Sequence, residues 1–221
     1  MSGKERRGKR MDRNKTLSTR IPTLGYYLIV TDTQETEKNY FEGLRNIIPE
    51  NLKDRLVIKV EKARTVDLVA RCKDLVSKDP QYRIPWIVLD RDQVEGFDSI
   101  IENAERNDIS VGWSNPCIEI WFFAYFGIMP SYIDSVTCCE KFKDKYEAVT
   151  GGKYEKSNNE IYNKLNQYGN ENKALEVAER KHNTHLNNGR VKPSEMCPNT
   201  TIYKLVGEIK SKINQKNIDS I

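Results

Sequence analysis

The chain has 221 residues, 38% hydrophobic and 31% charged, with a formal net charge of +4. That length suits one large domain, or one domain with an appendage, and the recurring apolar clusters exclude a disordered chain. No apolar run reaches the roughly 20 residues needed to cross a bilayer, and no signal-type apolar stretch follows the basic start, so a cytoplasmic protein without a membrane partner is expected.

A net +6 lies in residues 1–20 and −2 in the remainder. This reads as a flexible basic arm, with Arg6, Arg7, Lys9 and Arg10 meeting nucleic-acid phosphates through a salt-sensitive attraction. Residues 24–31 (LGYYLIVT) form a near-continuous apolar run, as a strand buried on both faces does. Asp32, Thr33 and Gln34 then turn the chain into a helix with Tyr40, Phe41, Leu44, Ile47 and Ile48 on one side, ended by Pro49. Residues 56–60 alternate like a more exposed strand, and residues 66–76 return to helical spacing.

Residues 84–89 (IPWIVL) are a second buried strand, broken by Asp90-Arg91-Asp92. A helix bearing Phe97, Ile100, Ile101 and Ala104 follows, then a short strand at 109–111. Ser114-Asn115-Pro116 is expected to open the helix IEIWFFAYF, with Asn115 as its cap and Pro116 in its first turn. Such alternation implies an α/β fold with a parallel sheet and right-handed crossovers. Beyond Gly127 the strand signal fades, and 187–201 reads as a long loop. The expected organisation is an arm (1–20), an α/β domain (21–127) and a helical appendage packed on the sheet (128–221).

The chemistry is expected where two buried strands end in acids. Ligands of open parallel sheets sit beyond the carboxyl ends of the strands. If the strands ending at Asp32 and Asp90 are neighbours, Asp32, Asp90 and Asp92 converge. Three crowded carboxylates repel unless a cation sits among them, and oxygen donors suit Mg²⁺ or Mn²⁺. Two acids separated by one residue share one side of an extended strand end, so both can reach the ion. Arg91, between them, and Lys153 and Lys156, in a Gly-rich basic segment, are candidate phosphate contacts. The five cysteines form no CxxC pair and read as reduced, small buried hydrophobes. His182 and His185 are assigned no role.

The segments VTDTQETEKNYFEGL (30–44), WIVLDRD (86–92) with Phe97-Asp98, and SNPCIEIWFF (114–123) resemble the RloB-like (AbiLii-like) family. Gly152–Lys156 and Asn199–Thr201 also look like family positions. The resemblance implies a Toprim-like nuclease of phage-defence systems, often encoded beside an ATPase. It puts the catalytic, metal-binding acids on Asp32, Asp90 and Asp92. Glu37 and Lys156 join them at the catalytic site, and Ser114, Asn115 and Glu119 support it. The family's leading Glu-Gly is Asp32-Thr33 here, a shorter carboxylate before a less permissive residue. Two functions therefore stand side by side. One is metal-dependent phosphodiester cleavage of RNA or DNA. The other is a non-catalytic nucleic-acid-binding or complex subunit with a degenerate site.

Overall fold

A computed structural model describes residues 23–218 except 33–34, 79–82, 93 and 133, with side chains to Asn214. The arm residues Arg6, Arg7, Lys9 and Arg10 lie outside the described residues. The elements, in order, are β1 (Gly25–Thr31), α1 (Thr36–Asn46), β2 (Leu56–Lys62), α2 (Leu68–Lys78), β3 (Arg83–Asp90) and α3 (Phe97–Glu105). They continue with β4 (Ser110–Asn115), α4 (Glu119–Tyr125), α5 (Ser135–Thr150), α6 (Ile161–Tyr168), α7 (Glu171–Asn187), β5 (Asn199–Thr200) and α8 (Ile202–Ile218). The strands form one sheet in the order β2-β1-β3-β4-β5. β1 to β4 run parallel, and β5 pairs antiparallel with β4.

Alternation along the two central strands divides the core. Tyr27, Ile29, Trp86 and Val88 face one layer, with α1 and α4 to α8. Leu28, Val30, Ile87 and Leu89 face the other, with α2 and α3. The sheet is thus covered on both sides, as its double-sided apolar strands require. Burial of each large side chain in these layers stabilises the fold by roughly 2–3 kcal/mol.

The larger layer contains an aromatic core. The Tyr40 ring meets Phe41, Trp121, Phe122 and Tyr162 at centroid distances of 5.2 to 6.5 Å. Gly43 on α1 lies directly against Tyr162, so any Cβ there would collide with α6. The buried hydroxyls are satisfied as a network. Tyr40 and Tyr125 hydroxyls bond at 2.8 Å, and those of Tyr125 and Tyr162 donate to Glu171 Oε1 at 3.1 and 2.9 Å. Lys210 on α8 closes it on Glu171 Oε2 at 2.7 Å. The helices after residue 128 thus share one apolar cluster with β1 and β3. Among the described residues no helix is long and apolar enough to cross a membrane.

Two expectations are corrected. Ser114 and Asn115 do not cap a helix; they are the last residues of β4, and the helix begins at Glu119 without a side-chain cap. The reason lies in the second correction. The segment expected as a loop holds β5, which pairs Ser114 with Thr200 and Asn115 with Asn199. Thr201 Oγ1 also accepts from Trp113 N at 2.9 Å. A strand partner supplied from far along the chain overrides the local capping preference.

Candidate metal centre

β1 and β3 are neighbours, with Thr31 opposite Val88, and Asp32 N donates to Val88 O at 3.2 Å. Strand order reverses at β1, with β2 on one side and β3 on the other. Asp32 and Asp90 therefore leave adjacent strands at the crevice where open α/β sheets bind ligands. A cavity of about 820 Å³ opens there, lined by Asp32, Glu37, Asp90, Asp92, Glu119 and Lys156.

Asp90 is the most constrained acid. Its Oδ2 accepts from Ile118 N at 3.0 Å, while buried Oδ1 has no hydrogen-bond partner among the described residues. Burial first, then the charges of Glu37, Asp32 and Glu119, hold its carboxyl well above the usual carboxylate range; the Ile118 N–H works in the opposite sense. Glu37, in the first turn of α1, is only 1% exposed, and its Oε2 also lacks a partner. Burial and then the Asp32 charge push its carboxyl up to about 8. Asp32 Oδ2 accepts from Thr65 Oγ1 at 3.4 Å.

Asp92 reaches the cavity by another route than strand alternation. β3 ends at Asp90. Arg91 N then donates to Ser114 O at 2.7 Å and Asp92 N to Pro116 O at 2.9 Å, with Asp92 at φ 25°. This is the left-handed region, which Asp tolerates better than most residues. The Asp92 carboxylate accepts from the Ser135 hydroxyl on α5. The shared strand side inferred from the spacing is therefore corrected to a turn that carries Asp92 toward α5.

Glu119 is buried, and its Oε1 accepts from Tyr154 OH at 2.9 Å. Burial pulls the Lys156 ammonium down, but the Glu119 charge and the neighbouring thiols more than offset this and hold it above its ordinary value. Cys117 and Cys139 line the same cavity with sulfurs 3.9 Å apart.

Other expected residues lie elsewhere. Ser114 Oγ bonds Thr200 Oγ1 at 3.1 Å, and Asn115 Nδ2 donates to Pro193 O and Ser194 O at 3.2 and 3.1 Å, so both tie β4 to the C-terminal segment. The Arg91 guanidinium lies 5.7 Å from the Phe97 ring and donates to Asp92 O and Val94 O at 3.2 and 3.1 Å. Lys153 is exposed and paired with Glu155 at 2.9 Å. Thr65, Ser135 and Cys139 are site residues from segments that carried no signal, while Cys117 and Tyr154 lie inside the segments 114–123 and 152–156 but had no site role assigned.

A family model described as RloB-like protein matches residues 27–209. The chain belongs to the RloB-like family. It matches no curated protein and no solved structure. In this RloB-like chain the matched span runs from β1 into α8, so it includes every cavity residue named above.

The donor set fits a hard divalent cation. Asp32, Glu37 and Asp90 offer carboxylate oxygens to one cavity, and such oxygens suit Mg²⁺ or Mn²⁺.

Proposed function

We propose that this RloB-like chain is a metal-dependent nuclease that cleaves phosphodiesters of RNA or DNA, with a Toprim-like site. The observation that carries the reading is one: acids from the ends of adjacent strands and from α1 share a cavity, where Glu37 Oε2 and Asp90 Oδ1 are buried with no donor among the described residues beyond a proton that the two carboxyls can share. Buried acids crowded in this way either share protons or gather around a cation, and their place at a sheet's ligand crevice favours the cation.

Asp32, Glu37 and Asp90 would hold Mg²⁺ or Mn²⁺, with Asp92 beside them. Such an ion supplies neutralisation of phosphate charge and acidification of water. Lys156 offers an ammonium to the developing charge on phosphate oxygens, and Glu119 and Tyr154 hold that end of the cavity. Ser135 and the Ser114–Pro116 backbone fix the turn that presents Asp92. The basic segment 1–20 supplies sequence-independent attraction to nucleic acid. Phage defence, and an ATPase as partner, are the proposed setting.

The test is cleavage of labelled RNA and DNA with Mn²⁺, comparing wild type with Asp90→Asn/Asp92→Asn. Loss of cleavage in the folded double variant supports the reading. Equal cleavage by the variant contradicts it. Nucleic-acid binding without any cleavage, alone or with the ATPase, would establish the non-catalytic subunit instead.

A further inference from the structure

The cavity has a second, chemically different wall. Cys117, from the turn after β4, and Cys139, on α5, bring their sulfurs to 3.9 Å, and both thiols are free. A carboxylate oxygen of Glu119 joins them, with all three ligand atoms within 4.8 Å of one another. We propose that Cys117, Cys139 and Glu119 form a site for a soft divalent cation, Zn²⁺ in the cell and Cd²⁺ as a probe.

The geometry accommodates an ion with little movement. Two sulfurs bound to one tetrahedral Zn²⁺ at about 2.3 Å each stand about 3.8 Å apart, which the 3.9 Å spacing already matches. Thiolate donors select Zn²⁺ over Mg²⁺, so this wall and the aspartate wall take different metals. The Tyr154 hydroxyl fixes the Glu119 carboxyl at 2.9 Å, as the outer hydrogen bonds of metal ligands do. The Lys156 ammonium lies in the same cavity, within reach of the Glu119 charge and of Cys139. Its single positive charge balances two thiolates, one carboxylate and one divalent ion.

Binding is an exchange. The cation displaces the two thiol protons to solvent, bonds both sulfurs and one Glu119 oxygen, and leaves a fourth position toward the cavity. It would clip α5 to the turn whose Ile118 N–H holds Asp90. The proposal goes beyond the nuclease reading and does not rest on it.

The test is titration of the full chain with Cd²⁺, kept reduced by a phosphine, followed by the ultraviolet thiolate-to-cadmium charge-transfer band. One equivalent is expected to saturate the band. It should be lost in Cys117→Ser and Cys139→Ser and kept in Cys197→Ser, whose sulfur faces Tyr132 O instead. Glu119→Gln keeps the side-chain shape and is expected to weaken Cd²⁺ by about tenfold or more, which tests the site if the serine variants do not fold. Absence of the band, or its persistence in the folded double Cys→Ser variant, overturns the site. So does unchanged affinity in Glu119→Gln. Asp32→Asn is expected to lose cleavage and keep the band, so the two readings fail separately.

Discussion

Glu37→Gln should stabilise the metal-free protein at neutral and alkaline pH while weakening its hold on Mg²⁺. In the folded chain the Glu37 carboxyl is pushed up from 4.5 to about 8, by burial and then by the Asp32 charge. The folded state therefore keeps a proton that the unfolded chain releases. Stability from this group is full below about pH 4.5 and is lost as pH rises toward 8. The shift sets an upper bound of about 5 kcal/mol, at 1.36 kcal/mol per unit. Water and counter-ions in the open cavity reduce this to on the order of 2 kcal/mol. Gln removes the charge and retains the shape, so the variant should melt roughly 4–8 °C above wild type near pH 8. The two should converge near pH 4.5. The assay is thermal unfolding in chelator from pH 4.5 to 8.5. Adding Mg²⁺ should raise wild type more than the variant, because the ion binds the charged form. Parallel melting profiles for the two proteins, or a variant less stable at pH 8, would show that Glu37 is not held protonated by its burial.

Other outcomes follow from the same contacts. Asn115→Ala removes two bonds to the Pro193 and Ser194 carbonyls and should cost about 1–3 kcal/mol in chemical denaturation, with Mn²⁺ affinity unchanged within about twofold. Tyr154→Phe leaves the buried Glu119 carboxylate without its hydroxyl donor and should lower stability by about 1–2 kcal/mol in the same assay. Burial, and then the nearby Lys204 charge, lower the His182 imidazole to about 4, below its ordinary 6.5. Its stability contribution is complete above pH 6.5 and is lost as pH falls toward 4, so wild type should weaken relative to His182→Gln across that window in pH-dependent melts.

The buried strands and the acids at their ends were legible because a parallel sheet covered on both faces leaves continuous apolar runs, and both LGYYLIVT and IPWIVL are such runs. That Asp32 and Asp90 are adjacent depends on the order β2-β1-β3, which no local pattern encodes. Asn115 misled because Asn before Pro has the chemistry of a helix cap, and the strand that claims it arrives late; Thr200 lies 86 positions after its partner Ser114. Asp92 reached the cavity, but through a turn with positive φ rather than strand alternation. Cys117 and Cys139 read singly as small buried hydrophobes. Only the packing of α5 against the turn after β4 turns them into a pair.

Asp32 after β1, Glu37 on α1 and Asp90 at the end of β3 are placed to hold one divalent cation. Anomalous diffraction from crystals soaked in Mn²⁺ tests it most directly. A peak bonded to oxygens of Asp32, Glu37 and Asp90, and absent from Asp90→Asn crystals, is the predicted result. An empty cavity at saturating Mn²⁺, or a peak only outside it, would contradict the account.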